Sequence, residues 1–198
     1  MTHALIVIDV QNDFCPGGAL EVPQGDEILR GINALMSEFD AVVLTQDWHP
    51  AGHSSFASSH KNNTPYEIVT MPYGPQVLWP DHCIQGSIGA QFHPELQADR
   101  ADLIIRKGYN PDIDSYSAFF ENDHRTSTGL EGYLRTRGIE RLTMVGLALD
   151  FCVNFSAVDA AKLGFKVDVR EDLCRAIDLD GSLAKAREGM RAAGVTLA

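Results

Sequence analysis

The chain has no stretch near the roughly 20 consecutive apolar residues that a membrane-spanning helix requires. Basic residues are scarce: 16 Lys and Arg stand against 27 Asp and Glu, a formal net charge of −11. Nucleic acid and anionic membrane surfaces both attract a basic footprint, so neither is expected as a partner. Cysteine is thin as well. Cys15, Cys83, Cys152 and Cys174 are scattered without paired spacing, which argues against a disulfide framework and a Cys-rich structural zinc site. The opening Met-Thr-His-Ala-Leu-Ile-Val-Ile-Asp lacks a basic segment, and its apolar run is too short for an export signal. Free thiols in the cytoplasm are the expectation. There is no internal repeat, heptad array or low-complexity tract. The remainder is ordinary globular composition. With 44% hydrophobic and 22% charged residues, the 198 positions suit one domain, 1–198, with a core of its own. Composition does not set the oligomeric state, and a homo-oligomer is allowed.

Apolar runs alternate with amphipathic segments. Ala4 to Ile8 is a continuous apolar run ending at Asp9, the pattern of a strand buried on both faces. Gly25 to Phe39 carries one apolar stripe at helical spacing. Ala41 to Thr45 is a second apolar strand. Residues from about 48 to 95 change character and hold most of the prolines and histidines. They read as an irregular insertion, longer than an ordinary connection. Regular alternation then resumes: strand Asp102 to Arg106, helix Leu130 to Arg137, strand Leu142 to Val145, helix Val153 to Leu163, strand Phe165 to Val169. A helix from Ser182 to Ala193, with Ser182 as its cap, and a short strand from Val195 to Leu197 complete the series. This order predicts an α/β fold: three α/β/α layers around a mostly parallel central sheet, plus the insertion.

In such sheets, ligands bind beyond the carboxyl ends of the strands. The residues found there are chemically distinctive. The first strand leads to Asp9, the second to Asp47 and His49, the third to Lys107. After the fourth comes the turn Gly146 to Phe151, and then Cys152 opens a helix. Cys152 is the candidate nucleophile, because a thiol at a helix N-terminus feels a positive field that favours thiolate. Free backbone N–H groups there could hold an oxyanion. Asp9 is the candidate general base and acid, with Asp13 as its nearby rival. Lys107 could hold the pair together. Asp47 and His49 lie two residues apart, on one side of an extended segment, with His53 and His82 within chain reach. Such donors suit one divalent metal ion, zinc first, with iron or manganese also accommodated. Phe14, Trp79 and Tyr116 could line a pocket for a flat ring. Cys15, Cys83 and Cys174 have no comparable setting, and His3, His60, His93 and His124 are read as surface or core residues.

Together these segments carry a family pattern. Ile8-Asp9-Val10-Gln11-Asn12-Asp13-Phe14 resembles the opening motif of the nicotinamidases, within the isochorismatase-like cysteine hydrolases. Gln46-Asp47-Trp48-His49-Pro50 resembles their metal motif, and Trp79-Pro80-Asp81-His82-Cys83 the segment that supplies a further histidine. Asp114 to Phe120 is similar to a segment typical of nicotinamidases, and Val145 to Val153 to the nucleophile motif. The resemblance implies an isochorismatase-like fold and hydrolysis of nicotinamide to nicotinate in NAD salvage, with pyrazinamide as a side substrate. It implies Asp9, Lys107 and Cys152 as the catalytic triad and the backbone N–H groups of Ala148 and Cys152 as the oxyanion hole. It implies Asp47, His49 and His82 as metal ligands, with His53 a weaker candidate, and Phe14, Trp79 and Tyr116 around the pyridine ring. It also implies a cis peptide before Ala148. The family commonly has Thr where this chain has Leu149. Relatives acting on carbamoyl compounds or isochorismate-like ethers generally lack the metal motif, and a silent scaffold would predict a broken triad.

Overall fold

The computed structural model describes residues 2–198. In chain order its regular elements are β1 (Thr2–Ile8), α1 (Leu29–Leu35), β2 (Ala41–Asp47), β3 (Ile68–Met71), β4 (Gly74–Val77) and β5 (Leu103–Lys107). There follow α2 (Leu130–Thr136), β6 (Ile139–Leu147), α3 (Asn154–Lys162), β7 (Lys166–Arg175), α4 (Ser182–Ala192) and β8 (Thr196–Leu197). Six strands form one sheet in the order β5-β2-β1-β6-β7-β8, with every neighbouring pair parallel.

Period-two alternation sorts the central strand between two cores. Ala4, Ile6 and Ile8 of β1 pack with Leu130 and Leu134 of α2, Ala157 and Ala160 of α3, and Ala186 and Met190 of α4. Leu5 and Val7 face the other way, into a core with Leu29, Ile32 and Leu35 of α1 and Trp79 and Leu96 of the insertion. Both faces of β1 are therefore dry, and the continuous apolar run follows from that. The expected three-layer α/β/α architecture is what forms.

Several boundaries differ from expectation. The first helix is much shorter than Gly25 to Phe39. Residues before Leu29 form turns, with Gln24 at φ 60°, and a 3-10 turn takes over at Met36–Glu38. Strand β7 runs on through Arg170, Glu171 and Asp172, beyond the apolar run Phe165 to Val169. Its pairing with β6 shifts register after Met144 and resumes at Gly146 opposite Cys174. Ser182 does not cap α4. Gly181 occupies that position, and the Ser182 hydroxyl donates to Asp150 Oδ2 instead. The insertion is mostly irregular, but β3 and β4 pair within it as an antiparallel hairpin.

Chain order places β2 and β5 on one side of β1 and β6, β7 and β8 on the other. The switch between the two directions lies between β1 and β6, where crossovers leave a crevice. The C-terminal ends of β1 and β6 meet there.

Candidate active site

Asp9 follows β1 directly and is fully buried. Its backbone sits in the left-handed region at φ 48°, a conformation that residues with a Cβ rarely adopt. Thr45 of the neighbouring β2 holds it there. The Asp9 N–H donates to Thr45 Oγ1 at 3.1 Å, and the same hydroxyl donates to Asp9 Oδ1 at 2.6 Å. The other carboxylate oxygen lies 2.8 Å from Lys107 Nζ.

Lys107 ends β5 with its side chain buried. Its ammonium reaches Asp9, Asp47 Oδ1 at 2.6 Å, the Ser115 carbonyl at 2.9 Å and Cys152 Sγ at 3.5 Å. One cation thus joins the acid, the thiol and the candidate metal carboxylate. Burial alone would lower the Lys107 pKa, but Asp47 and Asp9 outweigh it and hold the ammonium well above its usual range.

Cys152 lies in a wide π-helical turn, Leu149–Val153, that precedes α3. Within it the Val153 N–H donates to the Ala148 carbonyl at 3.1 Å, an i to i+5 bond. The peptide between Leu147 and Ala148 is cis, as the resemblance implies. Leu149 packs in the apolar core, so its side chain is satisfied without the hydroxyl a Thr would bring. The thiol differs from expectation. Burial pushes its pKa well above the ordinary value, and Asp9 and Asp47 add to this against the pull of Lys107. Burial and the two acids thus favour the protonated thiol, which calls for a base to activate it. Burial also raises Asp9, with Lys107 opposing.

The metal candidates converge from the ends of β2 and the insertion. Asp47 Oδ2 lies 3.3 Å from His49 Nε2 and 3.6 Å from His82 Nε2. Each imidazole is oriented by a main-chain carbonyl: His49 Nδ1 by Gly108 at 2.8 Å, His82 Nδ1 by Pro80 at 2.8 Å. Donation through Nδ1 fixes the tautomer and leaves both Nε2 lone pairs aimed at one point. His49 Nε2 is buried without a hydrogen-bond partner, as an unligated donor would be. Gly108 has φ 67°, and a Cβ there would lie 2.5 Å from His49 Cε1. The tight approach of its carbonyl thus requires glycine. Burial would raise Asp47, but Lys107 and His49 hold its carboxyl well below the usual range. The donor set fits one divalent metal ion.

His53 is placed differently. Its Nε2 lies 2.7 Å from the Asn110 carbonyl, and its Nδ1 receives the Ser55 hydroxyl at 2.8 Å and N–H at 3.1 Å. Both ring nitrogens are engaged, so the alternative cluster of His49, His53 and Asp114 has no free lone pair on His53. Phe56, which sequence reasoning missed, packs edge-on to His49 at 5.4 Å and near His53 and His82.

A small, narrow cavity opens between these groups, lined by Asp47, His82 and Cys152 and walled by Phe14, Trp79, Tyr116 and Phe151. Tyr116 Oη accepts from Trp79 Nε1 at 3.0 Å and from Gln76 Nε2 at 2.9 Å. Gln76, another residue missed, also donates to Asp114 Oδ2 at 2.8 Å. Asp13 is not at the thiol. Its carboxylate accepts the Cys83 N–H at 2.7 Å. Ile177, on the cavity wall, is held by Asp150 of the π-turn, which accepts its N–H at 3.1 Å and that of Asp178 at 2.7 Å.

Comparison with known proteins gives the same picture along the whole chain. The family model of the isochorismatase domain matches residues 3–198. The chain is 55% identical over 192 residues to the nicotinamidase of Acinetobacter baylyi, covering 97% of this chain and 90% of that one. A solved structure described as an Acinetobacter baumanii nicotinamidase pyrazinamidase superposes with a TM-score of 0.98 at 55% identity, covering 99% of this chain and 95% of that one. A pyrazinamidase of Pyrococcus horikoshii, solved in complex with zinc, superposes with a TM-score of 0.80 at 34% identity over 100% of this chain and 99% of that one.

Proposed function

The chain belongs to the isochorismatase family, and from that premise we propose that it is an amidohydrolase converting nicotinamide to nicotinate and ammonia, with pyrazinamide as a side substrate. The observation that carries this reading is the single buried ammonium of Lys107, in contact with Asp9, Asp47 and Cys152, the last two of which line one aromatic cavity.

The ring of the substrate fits between Phe14, Trp79 and Tyr116, flat aromatic walls suited to a flat heterocycle. Asp47, His49 and His82 would hold the metal, zinc in this reading, which would supply a Lewis acid beside the ring pocket. The carboxamide then faces Cys152. Because the thiol rests protonated, Asp9 removes its proton as sulfur adds to the amide carbon. Lys107 keeps Asp9 in place and faces the developing charge on sulfur. The backbone N–H groups of Ala148 and Cys152 donate to the oxyanion that forms. Asp9 returns the proton to nitrogen, the C–N bond breaks and ammonia leaves. Asp9 then deprotonates a water that adds to the thioester. The C–S bond breaks, Cys152 takes the proton back, and nicotinate is released.

The reaction returns the pyridine ring to NAD salvage. The four cysteines are all free thiols, which suits a reducing compartment, and we place the enzyme in the cytoplasm. The test is rapid quenching of metal-loaded enzyme with nicotinamide, followed by peptide mass spectrometry. A nicotinoyl group on the peptide carrying Cys152 is expected. Turnover of nicotinamide with no acyl group ever found on Cys152 would defeat the mechanism. Turnover of a carbamoyl compound in place of nicotinamide would defeat the substrate assignment.

A further inference from the structure

We propose that Gln11 and Asp13 act as positioning residues for the metal centre, gripping the main chain beside two of its ligands without touching the metal. The inference rests on the reading of Asp47, His49 and His82 as ligands.

The need for such a grip follows from the sheet. Strand β2 pairs with β5 as far as Asp47, opposite Lys107. On its other edge, pairing with β1 stops at Val7 opposite Leu44, because the chain turns away at Asp9. Asp47 is buried, so its main-chain groups on that edge would be left without partners, which is costly. The side chain of Gln11 takes the place of the missing strand. Its Oε1 accepts the Asp47 N–H at 2.7 Å, and its Nε2 donates to the Asp47 carbonyl at 2.8 Å. The same Nε2 lies 2.9 Å from the Ala90 carbonyl and 3.4 Å from Cys83 Sγ. Gln11 is fully buried and belongs to neither the cavity wall nor the donor set.

Asp13 does the corresponding work on the second ligand segment. Cys83, which follows His82, has φ 45°. A non-glycine residue stays there only when its surroundings hold it. The Asp13 carboxylate supplies the hold. Oδ2 accepts the Cys83 N–H at 2.7 Å, and Oδ1 accepts the Ala19 N–H at 3.2 Å. The carboxylate is wedged against Gly89, where a Cβ would sit 2.1 Å from Oδ2. One tripeptide therefore sets the main chain at Asp47 and beside His82, between Asp9 on one side and Phe14 on the other.

The middle residue provides an internal control. Asn12 donates to the Ile88 carbonyl at 2.8 Å, a bond of the same loop that reaches neither ligand segment. Zinc affinity of the full chain is measured by competition with a chelating dye, alongside the absorption spectrum of the cobalt form. Asp13→Ala and Gln11→Glu are expected to weaken zinc binding by about 10- to 100-fold and to alter the cobalt spectrum. Asp13→Asn keeps an acceptor for the Cys83 N–H and is expected to recover most of the affinity. Asn12→Ala is expected to match the parent. If Asp13→Ala does not fold, Gln11→Glu against Asn12→Ala decides the matter. Parental zinc affinity in folded Asp13→Ala or Gln11→Glu overturns the proposal. So does a loss in Asn12→Ala as large as theirs. If Asp47→Ala itself leaves zinc affinity unchanged, the ligand assignment fails and the clamp fails with it.

Discussion

At the residue scale, the site is organised around a buried cation. Lys107 sits between Asp9 and Asp47, two carboxylates that would otherwise face each other in a dry crevice. Replacing it with methionine keeps the volume and leaves both acids unpaired. Lys107→Met is expected to lose about 3–5 kcal/mol of stability and all turnover, measured by urea denaturation and nicotinate formation. Stability equal to the parent would mean the lysine is not neutralising those acids. The chemistry-bearing residues were legible in the sequence because each stands at or just past a strand's C-terminal end: Asp9, Asp47, Lys107 and, after its turn, Cys152. Their partners were not. Thr45, Gln11 and Gln76 are ordinary polar residues until strand register and hairpin folding bring them to Asp9, Asp47 and Asp114. The thiol's protonation was also illegible, since it depends on burial and on acids contributed by other strands.

At the element scale, the turn after β6 matters most. Asp150 spans from this π-turn to the start of α4, accepting from Ile177, Asp178 and Ser182. It thereby ties the turn that carries Cys152 to a cavity wall. Asp150→Ala leaves partly buried N–H donors unmatched and is expected to cost about 1 kcal/mol. Steady-state kinetics should show KM for nicotinamide rising more than kcat falls, because Ile177 moves while Cys152 stays. A fall in kcat with KM unchanged would place the effect at the thiol instead. The unbroken apolar run of β1 and the Gly164 stop after α3 could be read closely. Strand β7 could not, because its second half is charged and is specified by resumed pairing with β6. The first helix was overread because an apolar stripe says nothing about the turns that Gln24 begins.

At the scale of the whole molecule, stability responds to protons and to metal. His3, on β1, accepts or donates to Thr143 Oγ1 at 2.9 Å across the β1–β6 pair. Burial, with Arg141 adding, lowers its pKa below the ordinary imidazole value of 6.5. The unfolded chain therefore takes up a proton more readily than the folded one. The contribution is full above pH 6.5 and is lost progressively as pH falls below that value toward the lower folded-state pKa. Urea midpoints of His3→Gln are expected to decline less than those of the parent between pH 7 and 5, and an equal decline would contradict the assignment. Metal acts through linkage. At a free concentration 100 times Kd it stabilises the fold by about 2.7 kcal/mol. Chelation should therefore lower Tm by differential scanning fluorimetry while leaving far-UV circular dichroism intact. Collapse of the dichroism would mark a structural metal in place of a catalytic one.

The most direct test of the central claim is ammonia release from nicotinamide by the purified chain, before chelation, after it and after zinc is returned, with Cys152→Ala run in parallel. The account predicts release by the loaded parent, loss on chelation, recovery with zinc, and none from Cys152→Ala although it still binds nicotinamide. Ammonia release by Cys152→Ala at the parental rate, or a loaded parent that releases none, would contradict it.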